Sequence, residues 1–120
     1  MKVEFHGDYI HIDHGTGLVI EPGGLKKLWA YIGALCEEYG CGRVLVEANS
    51  PQRHLDTISA FDSGIEAAAA YPDLAIAICF YDYEPDETSE LFITAARNRG
   101  ARVKFFSDRK IALRWLGIDR

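Results

Sequence analysis

Ala95-Ala96-Arg97-Asn98-Arg99-Gly100-Ala101-Arg102-Val103-Lys104-Phe105-Phe106-Ser107-Asp108-Arg109-Lys110-Ile111-Ala112-Leu113-Arg114-Trp115-Leu116 is the stretch that decides the fold. It predicts a helix stopped by Gly100, a short buried strand over Val103-Lys104-Phe105-Phe106, and a closing helix capped by Ser107 with Ile111, Ala112, Trp115 and Leu116 turned inward. Upstream, Leu74-Ala75-Ile76-Ala77-Ile78-Cys79-Phe80 is apolar throughout, as a central strand covered on both faces must be. Between them, Pro85 to Glu90 puts acidic groups in the first turn of a helix whose last turn carries Arg97 and Arg99, so both ends complement the macrodipole.

Nearer the amino terminus, Asp56 or Thr57 caps a helix with Ile58, Phe61, Ile65, Ala68 and Ala69 inward, ended by Tyr71-Pro72. Arg43 to Glu47 is a short apolar strand, and Ala48 to His54 has loop composition. Leu25, Leu28, Trp29, Ile32, Leu35, Cys36 and Tyr39 form one helical stripe, stopped by Gly40 or Gly42. Gly15, Gly17, Pro22, Gly23 and Gly24 break regular structure around Leu18-Val19-Ile20. The chain opens on a hairpin, Val3-Glu4-Phe5 and Tyr9 to Asp13, turning at His6-Gly7-Asp8. The order ββαβαβαβα predicts an α/β fold: a small mixed, mainly parallel sheet of about five strands, covered by four helices.

With 120 residues, 48% of them hydrophobic, the chain suits one domain over residues 1–120. A net charge of -5 argues against a nucleic-acid partner, which needs clustered Lys and Arg. The basic run from Arg97 to Arg114 scatters over several faces by periodicity. No apolar run reaches the roughly 18 residues of a membrane span, and Met1 to His6 lacks the apolar segment of a signal peptide, so a cytoplasmic location is expected. Cys36, Cys41 and Cys79 are an odd count, and Cys36 and Cys79 fall in apolar segments where thiols act as small hydrophobes.

The residues Asn98-Arg99-Gly100, Val103, Phe105-Phe106, Asp108, Ala112 and Trp115-Leu116, with the Leu74 to Ile78 strand, resemble the SpoIIAA-like family. These are small bacterial proteins of STAS-type fold, related in architecture to the CRAL-TRIO lipid-transfer domain. The resemblance covers nearly the whole chain and implies a non-enzymatic module for proteins or apolar small molecules, without a cofactor. STAS regulators carry a phosphorylated serine in an Asp-Ser-Ser-Gly-like context at a helix start. Phe61-Asp62-Ser63-Gly64 imitates it, but Ser63 falls mid-helix, and Ser50 and Thr57 lie nearer the expected place.

Ligands of open α/β sheets bind beyond the carboxyl ends of the strands. That rule selects Asn49, Ser50, Arg53, His54, Tyr81, Asp82, Tyr83 and Ser107 as candidate ligand-binding residues. His11 and Asp13 share a strand face while His14 points away, leaving two ligands where structural zinc needs four, so no metal is expected. Phosphate-loop, dinucleotide and Gly-x-Ser-x-Gly patterns are absent. The leading expectation is therefore a non-catalytic binding or regulatory module, self-associating as a homodimer, that holds a regulatory protein or small apolar ligand. A phosphorylation switch of the anti-sigma-factor-antagonist type, at Ser50, Thr57 or Ser63, is one alternative. The other is a small hydrolase-like enzyme pairing His54 with Asp82 or Tyr81.

Overall fold

The computed structural model describes residues 1–118. Its main sheet holds β1 (Lys2–Phe5), β2 (Ile10–Thr16), β4 (Arg43–Asn49), β6 (Ala75–Tyr81) and β7 (Arg102–Phe106), side by side in that order. β1 and β2 are antiparallel and every later pairing is parallel, so the class is α/β with a mixed, mainly parallel sheet. A separate two-stranded ribbon joins β3 (Val19–Ile20) to β5 (Gln52–Arg53). The helices are α1 (Pro22–Tyr39), α2 (Thr57–Ala70), α3 (Glu87–Asn98) and α4 (Arg109–Trp115).

Each parallel step moves the same way across the sheet. Right-handed crossovers then bring α1, α2 and α3 to one face, because a crossover's side is set by its direction of travel. That face carries Ile10, Ile12, Val44, Val46, Ile76, Ile78, Phe80 and Val103, packed with Trp29, Ile32, Ala60, Ala67, Phe92 and Ala96 from the helices. The opposite face carries Leu45, Ala75, Ala77 and Cys79, covered by Ala112 and Leu113 of α4 with Leu116 and Ile118 just beyond it. Small side chains on β6 let this short helix sit close.

Three details depart from the sequence reading, and one of its alternatives is decided. Pro22 begins α1 instead of breaking the chain, since its missing N–H costs nothing at a first helical position. Gly40 is the stop, with φ 60°, and the Cys41 N–H returns to the Cys36 carbonyl at 3.0 Å. In α2, Ile58 is 72% exposed and Phe61 44%, while Ala69 is exposed too; the inward face is Ala60, Ser63, Gly64 and Ala67. Size, not hydropathy, phases this helix: a Cβ on Gly64 would lie 2.5 Å from the Phe92 carbonyl oxygen and 2.7 Å from Ala95 Cβ. In α4, Ile111 is 53% exposed, and Asp108 rather than Ser107 is the cap, accepting from the Ile111 N–H at 3.1 Å.

Residues 49–54 are also more ordered than their composition suggests. β4 continues to Asn49, and β5 is held by Gln52 N–H to the Leu18 carbonyl (3.0 Å) and His54 N–H to the Ile20 carbonyl (2.7 Å). Among the described residues, no helix is long and apolar enough to cross a membrane.

Candidate functional site

Asn49 and Tyr81 end β4 and β6 in register. Beyond them, Ser50 and Asp82 adopt left-handed backbone, φ 48° and 55°, which costs roughly 1–2 kcal/mol for a non-glycine residue. Cross-strand bonds hold them: Ser50 N–H donates to the Tyr81 carbonyl at 2.9 Å, and Ser50 Oγ donates to Asp82 Oδ2 at 2.9 Å. Residues two apart share a face in a continuing strand. The turn at Asp82 breaks that rule, sending Tyr81 to the α4 face and Tyr83 to the three-helix face.

On the α4 face, Tyr81 Oη donates to Glu47, which is 2% exposed. His11 Nε2 donates to Glu47 Oε1, and Arg109 forks onto the same carboxylate, Nε to Oε2 at 3.0 Å and Nη2 to Oε1 at 2.9 Å. Burial pushes the Glu47 carboxyl up, but the hydrogen bonds from Tyr81, Arg109 and His11 outweigh it and hold it below its ordinary value. Burial, with the hydrogen bonds to Cys79 and Glu47, pushes the Tyr81 phenol up. Glu47 is thus an ionised, fully partnered anchor, and Arg109 ties the start of α4 to the sheet.

On the other face, Arg53 on β5 reaches α3. Its Nη1 donates to Asp86 Oδ1 (2.6 Å), Tyr83 Oη (3.2 Å) and Ser89 Oγ (3.3 Å), and Nη2 donates to Asp86 Oδ2. Asp86 also caps α3, accepting from the N–H groups of Thr88 (3.0 Å) and Ser89 (3.2 Å). The Arg53 hydrogen bond leads in lowering the Asp86 carboxyl to about 2.

Arg53, Tyr83 and Ser89 border a cleft of about 460 Å³ between the sheet, α1 and the α2–α3 pair. Its wall is dominated by apolar groups, among them Leu25, Leu28, Ile78, Phe80, Phe92 and Phe105. Trp29 lines it as well, its Nε1 donating to Ser63 Oγ at 2.8 Å. A volume of this size falls within the few hundred to thousand Å³ of small-molecule sites.

The sequence-selected residues therefore divide. Arg53 and Tyr83 meet at the cleft; Tyr81 serves Glu47 on the far face; Ser50 and Asp82 bond to each other on the crest between. Asn49 and His54 are exposed, and Ser107 borders a separate groove with Phe80, Pro85, Phe106 and Ile111. Of the phosphorylation candidates, Ser50 and Thr57 are exposed, whereas Ser63 is 2% exposed beneath Trp29. The enzyme alternative finds its two carriers engaged elsewhere, Tyr81 with Glu47 and Asp82 with Ser50. His11, weighed as a ligand, is held by Glu47, and Asp13 Oδ1 accepts from the Gly15 N–H at 2.8 Å.

Glu47, Arg109 and the cleft wall were not selected from sequence, and His11 was weighed only as a metal ligand. One signal was visible for the first of these: a carboxylate inside the otherwise apolar run Val44-Leu45-Val46-Glu47-Ala48. A buried carboxylate needs partners, but the three that serve it lie 34 to 62 residues away. No family model, curated protein or solved structure matches the chain.

Proposed function

We propose that this protein is a non-catalytic binding module of the SpoIIAA-like, STAS-type kind, and that it holds a small apolar molecule in the cleft of its three-helix face. The observation that carries this reading is the cleft itself: about 460 Å³ walled by Leu, Ile, Phe and Trp side chains, where a core of this composition would ordinarily close. Element order and the Asn98 to Leu116 residues support the family assignment. Polar groups at the cleft, Arg53, Tyr83 and Ser89, satisfy one another, which suits retention of a ligand more than chemistry upon it.

N-phenyl-1-naphthylamine, an uncharged dye that brightens on entering apolar surroundings, tests this directly. Saturable one-to-one brightening is expected, abolished by Leu28→Trp, which fills part of the cleft. A ligand present at about 100 times its Kd should also stabilise the fold by about 2.7 kcal/mol. Absence of saturable binding in the folded protein overturns the reading.

A further inference from the structure

Between Arg53 and Arg97 the chain carries no Lys or Arg, while Asp and Glu recur through both α2 and α3. Up to the last turn of α3, the charged groups on these two helices are therefore all carboxylates. Glu87 and Glu90 have a local reason, since they sit in the first turn of α3 where the helix dipole favours them. Asp62 and Glu66 have none. They stand at i, i+4 on α2, a like-charged pair that disfavours the helix carrying it. Among the described residues, none of these four carboxylates is in an ion pair.

The same surface is apolar between its charges. α2 and α3 each cross between parallel strands, so they run parallel to one another, and Gly64 brings them together at Phe92 and Ala95. One turn earlier on each helix, Phe61 and Leu91 are exposed beside this seam. Ile58 is exposed ahead of Phe61, and half-buried Ile65 and exposed Ala69 continue the stripe along one side of α2. From Ile58 to Ala69 the stripe runs roughly 16 Å at the rise of an α-helix. None of Ile58, Phe61 and Leu91 lines the cleft, so this surface is separate from it.

Contiguous exposed hydrocarbon with a rim of a single charge marks an interaction surface, and the rim decides the occupant. A second copy meeting this face with its own would set Asp62 and Glu66 against like charges, and the phosphates of nucleic acid or anionic lipid are repelled in the same way. We infer that the outer face of α2 and α3 docks an amphipathic helix of a partner protein, about three turns long. Its apolar stripe lies along Ile58, Phe61 and Leu91, and its flanking Lys or Arg side chains pair with Asp62, Glu66 and Glu90.

The probe is a fluorescein-labelled peptide of leucine and lysine, about four turns long, with its leucines on one helical face. A scrambled isomer keeps the charge and loses the stripe; a leucine–glutamate counterpart keeps the stripe and inverts the charge. By fluorescence anisotropy, the leucine–lysine helix is expected to bind at least about tenfold tighter than either, and to weaken several-fold as NaCl rises from about 50 to about 300 mM. Ile58→Ser, and separately Asp62→Lys with Glu66→Lys, are each expected to weaken it about tenfold while native helix content is kept by circular dichroism. In the unsubstituted protein, the peptide should shift backbone amide NMR signals of residues 58–66 and 87–94 and leave those of α4 in place, a readout that needs no variant. Equal binding of the scrambled isomer, tighter binding of the glutamate peptide, amide shifts confined to other surfaces, or an affinity indifferent to both substitutions would each overturn the proposal, whatever the cleft holds. Sedimentation of the protein alone is expected to be unchanged by Ile58→Ser; self-association that this substitution abolishes would assign the face to a second copy and overturn the proposal as well.

Discussion

The two faces of the sheet are built on opposite physical plans. One lies under three helices of 18, 14 and 12 residues and is closed by apolar contact, yet it keeps a cleft. The other lies under a single seven-residue helix and is held by a buried carboxylate with a guanidinium fork, a phenol and an imidazole. The difference follows from area. Long helices bury enough hydrocarbon to leave a cleft between them, whereas α4 and its C-cap present Ala112, Leu113 and Leu116 and gain a specific tether at Arg109.

The comparison is broken most severely by Gly64→Val. Its side chain would enter the backbone of α3 at Phe92 and Ala95, so a loss of about 3 kcal/mol in urea unfolding is expected, with the cleft distorted. A loss below about 0.5 kcal/mol would show that α2 and α3 do not approach as closely as described. On the opposite face, Glu47→Gln should cost about 2 kcal/mol, since it leaves Arg109 and His11 facing a neutral amide. Pairing it with Arg109→Gln in a double-mutant cycle measures the tether itself; strict additivity would mean that the fork contributes nothing.

Acid should act on both faces. The folded carboxyls of Glu47 and Asp86 lie below their ordinary values of 4.5 and 3.8, so each contributes stability that is complete above those values. That stability drains away as pH falls through the folded pKa, about 2 for Asp86. Unfolding free energy should therefore decline from about pH 4.5 downward, and Glu47→Gln should flatten the decline. An unchanged slope in the variant would remove Glu47 from the account. Half-exposure of Asp86 screens its pair with Arg53, so Asp86→Asn should cost little beyond a weakened cap, about 1 kcal/mol or less, by thermal unfolding.

The smallest effect is expected at Ile58→Ser, within about 0.5 kcal/mol, because this side chain is 72% exposed. A loss of about 2 kcal/mol or more there would place α2 in the phase that its hydropathy suggests.

Hydropathy was a good guide wherever an element is wholly apolar or cleanly amphipathic. Leu74 to Phe80 announced a central strand, and the Leu25 to Tyr39 stripe announced the longest helix, because covering both faces or one face leaves a periodic trace. It misled at α2, where Ile58 and Phe61 outweigh Ala60, Ser63, Gly64 and Ala67 in hydropathy but are too large to sit against α3. The candidate residues fared similarly. The strand-end rule selected Arg53 and Tyr83, which border the cleft, together with Ser50 and Asp82, which bond to each other on the crest; it presumes a reversal of strand order, and the strand order here advances one way throughout.

The residues alone determined that strands and helices alternate, that the later strands are parallel, and where the main helices stop, since each of these depends on local periodicity and caps. Tertiary structure alone decided that three helices share a face, that Tyr81 and Tyr83 part company at Asp82, and that Glu47, His11, Tyr81 and Arg109 converge. Those outcomes depend on crossover direction and on contacts between segments far apart along the chain, which leave no periodic trace in the order of the residues.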